Sequence, residues 1–392
     1  MLERLRASDH DTRRWFVVGL VALAVSVPLV LSGPGNDLDV ANVLRSGRAI
    51  ALHLSYVPSR PPGAPVHEGI VGVLDRIGGP VLTNLATLVA AVVLALGLDR
   101  LLRREGVGHG GRWAVVLVVA NPWFIIAATS TADYVFALAF VVLAALALRD
   151  DRAVLAGAFA AASMGCRIGS AVLIAAVLAA ELGEGRAARR RVGIAAGVAA
   201  IGTIAVFVPS FVAAGGLAFA ENDFTTSSPL VQLGRAAAKD LILLGPAASL
   251  LALAALPAIG RALRTWSTSW LIRFAVPGLV LSQLLFIRFP WKMAHLLPTL
   301  LCGAIVLAVA LDERPRLLIA LVCLQLVFGV VRLDVIRPDN PNEATGGRPG
   351  ISTGWGPVVT DWQCRREHPD AYRGRQKVEV EAAWVCTAPF GR

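Results

Sequence analysis

Apolar runs long enough to cross a lipid bilayer recur through most of this chain, and they constrain its fold more than any other feature. The runs are about 17 to 23 residues long, and a helix of that length spans roughly 30 Å, the thickness of the hydrocarbon core. Read by length alone, 392 residues would suggest two or three soluble domains. Charge argues against that reading: only 16% of the residues are charged and 56% are hydrophobic, whereas soluble domains carry roughly 25% charge. The expected fold is all-α, a polytopic transmembrane helical bundle.

The candidate spans are 15–32, 80–98, 113–129, 132–148, 153–166, 168–182, 192–213, 240–257, 271–287, 295–311 and 316–332, about eleven in all. The fifth and sixth are short. The Ala and Gly content of spans five to seven suits close helix packing. Arg4, Arg6, Arg13 and Arg14 precede the first run, Trp15 to Leu31. They imitate a signal peptide, but no small-x-small cleavage site follows cleanly. This run is read as a first span with a cytoplasmic N-terminus.

The formal net charge is +10. No aromatic-basic interleaving accompanies it, so a nucleic-acid partner is not expected. The arginines sit instead in alternate short loops: Arg100, Arg103, Arg104 and Arg112; Arg149 and Arg152; Arg186, Arg189, Arg190 and Arg191; Arg261 and Arg264; Arg314 and Arg316. With eleven spans, all fall on the side of the basic N-terminus, as the positive-inside rule requires. The chain is expected to be a multi-pass protein of the cell (plasma) membrane with an extracytoplasmic C-terminus. Residues 1–332 would form the transmembrane domain and 333–392 a short outer tail. Cys364 and Cys386 both lie in that tail, where a disulfide could staple a small unit; two free thiols are the alternative. Cys302 and Cys323 lie in apolar spans and are read as packing residues.

Polar residues gather in the predicted outer segments. The first, Ser32 to Gly79, carries Asn36, Asp37 and Asp39, then Ser59, Arg60, Pro61, Pro62 and Gly63, then His67 and Glu68. The prolines and Gly63 suit a rigid turn able to fix Arg60 and Glu68, and a carboxylate at the membrane boundary can act as a general base on a hydroxyl. Solvated loop charges are the plainer reading. Within this segment Asn42 to Tyr56 has the pattern of a helix lying along the membrane surface, or of an ordinary packed loop.

Three further clusters stand out. Asp133, in Thr129-Ser130-Thr131-Ala132-Asp133-Tyr134, could cap the next helix, and capping does not exclude a chemical role. Arg167, between two apolar spans on the predicted outer side, opposes the charge rule. It calls for an anionic partner: a protein carboxylate, a lipid phosphate or a substrate phosphate. Simple snorkelling is its alternative. Arg288, Lys292 and His295 surround Pro290 and Trp291, a set suited to holding a lipid phosphate or to anchoring at the interface.

These motifs resemble the GT-C superfamily of membrane glycosyltransferases, which use polyprenyl-phosphate sugars, and look most like its bacterial mannosyltransferase and arabinosyltransferase-type branches. The resemblance is carried by Gly35-Asn36-Asp37-Leu38-Asp39, Ala41-x-x-Leu44-x-x-Gly47, Ser59-Arg60-Pro61-Pro62-Gly63-Ala64-Pro65 with Glu68, Ser130-Thr131-Ala132-Asp133, Arg167, and Phe289-Pro290-Trp291-Lys292 ahead of Pro298. It covers 15–332 as topology and about 35–70 and 129–170 as motifs. It implies that Asp37, with Asp39 as rival, is the base that deprotonates the acceptor. It implies that Asp133 orients the acceptor or associates with a metal, and that Arg60, Arg167, Arg288 and Lys292 hold the lipid phosphate. The chain departs from the family in having no large soluble C-terminal domain and in offering two acids in the first loop.

The function expected is transfer of a sugar from a polyprenyl-phosphate donor to an extracytoplasmic glycan, lipid or protein acceptor in cell-envelope biogenesis, with inversion at the anomeric carbon. The substrate-binding set is Arg60, Glu68, Arg167, Arg288, Lys292 and His295. A divalent cation, Mg or Mn, is the one candidate cofactor, because acidic pairs can hold hard cations. Membrane lipids are the other expected partners. The alternatives are a transporter or flippase for a lipid-linked or anionic substrate, and a scaffold whose outer tail binds a partner. Transporters place polar groups near the bilayer midplane and often show inverted repeats; this sequence shows no convincing repeat.

Overall fold

The structure, a computed structural model, describes residues 25–35, 38–216, 228–336 and 350–367. Asp37 and Cys386 lie outside these residues, as does most of the first expected span, of which 25–31 is helical.

Most of the stretch 42–56 is helical, within α1 (Leu38–His53), and α2 (Pro65–Arg104) crosses it. The crossing is set by two glycines: a Cβ built on Gly72 would lie 2.2 Å from the carbonyl oxygen of Gly47. Helix α2 is broken at Gly78 and at Gly79, where φ is +62°, just before Pro80. The left-handed backbone suits glycine, and Pro80 brings no N–H to the ladder. The break divides α2 into an outer piece and an apolar piece that begins where the span 80–98 is expected.

The expected span 113–129 is two helices, α3 (His109–Val119) and α4 (Pro122–Ala128), bent by 65°. Asn121 caps α4 by accepting from the N–H groups of Trp123 and Phe124, and Pro122 opens the helix. The Asn121 amide also donates to the Leu243 carbonyl at 2.7 Å, while Gln325 donates to the Leu117 carbonyl at 2.7 Å. Side chains thus satisfy backbone groups freed by a break at membrane depth.

Then follow α5 (Tyr134–Arg149), α6 (Ala153–Cys166), α7 (Ala171–Leu182), α8 (Arg186–Ala214), α9 (Pro229–Leu243), α10 (Pro246–Ala252), α11 (Leu256–Leu263), α12 (Trp270–Arg288), α13 (Leu297–Ala310) and α14 (Pro315–Val330). Small residues let α6 and α8 touch: a Cβ on Gly157 would lie 2.6 Å from the Ala195 carbonyl, and one on Gly202 would lie 2.7 Å from Ala161 Cβ. Among the described residues, five helical segments are long and apolar enough to span, or six with the bent pair, and four shorter apolar helices lie among them. Each expected span from residue 80 onward coincides with one of these ten. One boundary moves: the span expected at 240–257 runs over Pro246–Leu263, because Gly245 and Pro246 separate it from α9.

The basic loops meet at one end of the bundle. Arg149 pairs with Glu105 (2.8 Å), Glu181 and Glu184 (both 3.3 Å). Arg191 reaches Glu181 at 2.6 Å, Arg104 pairs with Asp150, and Arg273 with Glu184. Asp312 accepts from the N–H groups of Gly108 and Gly110.

The tail adds structure beyond the bundle. Strands β1 (Val331–Ile336) and β2 (Gly350–Trp355) pair antiparallel, from Val331 with Trp355 to Ile336 with Gly350. Helix α15 (Pro357–Glu367) then packs on α4 and α14. Cys364 on α15 is disulfide-bonded, whereas Cys166, Cys302 and Cys323 are free.

Candidate active site

The other end of the bundle collects the acids and cations. Asp133 sits at the turn before α5 and is only 2% exposed. Its carboxylate makes no capping hydrogen bond. It pairs instead with Arg60 and with Arg167, whose Nη1 is 3.3 Å from both carboxylate oxygens. Capping therefore does not account for Asp133, and the anionic partner demanded by Arg167 is this carboxylate. Arg167 follows α6 in extended backbone, and its guanidinium lies over the Tyr134 ring at 4.1 Å.

Asp39 stands in the first turn of α1. Its Oδ2 accepts from Lys292 Nζ at 2.5 Å and lies 3.8 Å from Arg60 Nη1. Residues from four separate stretches of chain thus form one chain of charge: Lys292, Asp39, Arg60, Asp133, Arg167. His295 joins its edge, with its ring 5.8 Å from that of Tyr134 and its Nδ1 3.0 Å from the Phe289 carbonyl.

Two expected members stand apart. Glu68 is fully buried and accepts from Tyr56 Oη at 2.5 Å and the Ser59 N–H at 2.9 Å, so it braces the loop that presents Arg60. Burial and this carboxylate push the Tyr56 phenol well above its ordinary value, which keeps it a donor. Arg288 is exposed and rests against the Phe289 ring at 5.5 Å, outside the cluster.

Sequence reasoning missed several supports. Thr131 donates to Asn84 Oδ1 at 3.0 Å and is 2.6 Å from the Thr83 hydroxyl, while the Asn84 amide donates to the Gly33 carbonyl at 2.7 Å. This buried network ties the Asp133 turn to the chain entering the first outer segment. Lys239 donates to the Trp291 carbonyl at 2.5 Å, and the Arg235 guanidinium lies over the Trp291 ring at 4.9 Å, holding the stretch that carries Lys292. Arg365 donates to the Thr129 carbonyl at 2.7 Å and the Ile126 carbonyl at 3.2 Å, so the tail helix reaches the same turn. The polar residues Thr83 and Asn84 inside an apolar run, and Lys239 at the edge of one, were the available signal.

Among the described residues no three His, Cys, Asp or Glu side chains cluster, and Asp39 and Asp133 already face cations.

No family model and no curated protein matches the chain. Two solved structures match in fold. ArnT from Cupriavidus metallidurans bound to undecaprenyl phosphate is 15% identical with a TM-score of 0.58, over 96% of this chain and 73% of that one. The same protein in its apo state is 16% identical with a TM-score of 0.54, over 97% and 73%. The chain therefore shares the fold of ArnT.

Proposed function

We propose that the chain is a membrane glycosyltransferase that moves a sugar from a polyprenyl phosphate to an acceptor hydroxyl outside the cytoplasm. One observation carries this reading: two carboxylates share a single guanidinium, with Lys292 and Arg167 flanking them. Such a transfer needs a base for the acceptor and cations for the departing phosphate. The fold likeness to a protein bound to undecaprenyl phosphate supports the same donor class. The acceptor is a cell-envelope glycan, lipid or protein. The side facing the acceptor is the one opposite the arginine-rich loops.

In this reading Asp39, or Asp37, takes the proton of the acceptor hydroxyl. The hydroxyl oxygen attacks the anomeric carbon from the face opposite the phosphate. The bond from that carbon to the phosphate oxygen breaks with its electron pair on the oxygen, and the configuration inverts. Lys292, Arg60 and Arg167 neutralise the polyprenyl phosphate that leaves. Asp133 keeps Arg60 and Arg167 in place. Donor phosphate competes with Asp39 for Lys292 and Arg60, and a carboxylate relieved of its cations is the stronger base.

The test is transfer of label from radiolabelled polyprenyl-phosphate sugars in native membranes, comparing wild type with Asp37→Ala, Asp39→Asn and Asp133→Asn. Label reaching a product with wild type alone supports the reading. Full transfer by both first-segment variants would remove the proposed base.

A further inference from the structure

Beyond the glycine crossing of α1 and α2, residues 48–52 and 72–76 line a cavity of about 420 Å³. Its walls are Arg48, Ala51, Leu52, Gly72, Asp75 and Arg76. It is separate from the charge chain described above: Arg48 is nine residues past Asp39, about 14 Å along the helix.

The charges in this fork are arranged unevenly. Arg48 donates through Nε to Asp75 Oδ2 at 2.8 Å, leaving its two terminal amino groups for another acceptor. Arg76 is exposed and gives Nη1 to the Ala51 carbonyl at 2.9 Å. Asp75 is largely covered, and its Oδ1 accepts no hydrogen bond among the described residues. A covered carboxylate oxygen without a donor is costly. Asp75 lines the cavity, and the carboxylate torsion of Asp is soft.

The rim is apolar. Leu52, Leu54, Val73 and Ile77 are 57%, 95%, 55% and 71% exposed. The break at Gly78 and Gly79 follows at once, and there the membrane-crossing piece of α2 begins. The fork therefore lies at headgroup depth, with greasy residues facing acyl chains and guanidiniums beside them.

We propose that this fork is a phospholipid headgroup site. It takes a zwitterionic headgroup, with the phosphate between Arg48 and Arg76 and a primary ammonium on Asp75. Two cations and one anion complement that pairing. A purely anionic headgroup would leave Asp75 Oδ1 without a donor.

The test uses the full chain purified in detergent and stripped of lipid, with bound lipid counted by native mass spectrometry. The probes are dioleoylphosphatidylethanolamine, dioleoylphosphatidylglycerol and inorganic phosphate. Wild type should retain the ethanolamine lipid about fivefold better than the glycerol lipid, as one extra charge contact at a membrane surface implies. Asp75→Asn should erase that preference and leave binding of the glycerol lipid unchanged. Arg76→Gln, at an exposed position that the fold tolerates, should weaken both lipids. Equal retention of the ethanolamine lipid by wild type and both variants would overturn the proposal. Displacement of lipid by millimolar phosphate would also overturn it, by showing a free-anion site.

Discussion

Arg60 and Asp133 form the central ion pair of the candidate site, and the same guanidinium lies 3.8 Å from Asp39. One side chain therefore sets the spacing of both acids. Lysine carries the same charge but has a single ammonium and cannot fork between two carboxylates. Arg60→Ala should lower transfer by about 100-fold, the scale seen when one preorganised charge donor is removed. Arg60→Lys should fall between the two. Initial rates with labelled donor in membranes, normalised to protein amount, will check both.

Lys292 and Asp39 are coupled through the 2.5 Å contact. If the pair acts as a unit, the two deletions should not add. Lys292→Met and Asp39→Asn should each cost about 100-fold in transfer, and the double variant should be little worse than the poorer single one. Lys292→Met should also raise the KM for the donor, because in the proposed function it meets the phosphate. Steady-state rates of the four proteins complete the cycle, and strictly additive losses would argue that the two residues work independently.

The bundle was largely legible in the sequence because hydrocarbon leaves a helix few options. Apolar runs and alternating arginines place the helices and the two ends, and the ionic network around Glu181 shows that the basic loops do meet. Asp39, Asp133, Arg60, Arg167 and Lys292 were legible as types because charge beside apolar helices is costly. Their pairing was not. Arg167 needed some anion, but only the fold decides that Asp133 supplies it. Glu68 was equally conspicuous, yet it braces Tyr56 and Ser59, since a buried acid is satisfied by whichever donors the loop brings near. The break at Asn121 was hidden by the apolar residues on both sides, although Asn-Pro is a capping signal in its own right. Asp37 lies outside the described residues, so the choice between the two first-segment acids rests with the transfer assay.

Gly47 and Gly72 hold α1 against α2 with backbones in contact. A methyl group on either glycine meets main chain, which cannot move aside as a side chain could. Gly72→Ala should destabilise the protein by about 1–3 kcal/mol, the usual cost of overpacking. It should also lower transfer, because α1 carries Asp39. Gly69→Ala is the control, since a Cβ there meets nothing within 4 Å. Thermal midpoints of the purified proteins, read beside their transfer rates, should separate the two positions.

Arg365 ties the tail to the site without touching either acid. It is 3% exposed, pairs with Asp361 at 2.7 Å and donates to the carbonyls of Thr129 and Ile126. These carbonyls end α4, and Thr129 opens the turn that delivers Asp133. Arg365→Met would remove the ion pair with Asp361 and the donor to the Thr129 and Ile126 carbonyls, at a cost of about 2–4 kcal/mol. Transfer should fall with it as the turn loosens. Arg366→Met, at the exposed neighbour resting on Trp362, should stay within about 0.5 kcal/mol of wild type. If Arg365→Met lowered the thermal midpoint but left transfer per folded molecule unchanged, the tail would stabilise the bundle without shaping the site. A loss of transfer at a temperature where the variant is fully folded would instead make Arg365 a positioning residue, because a purely structural role has no effect on the rate of folded protein.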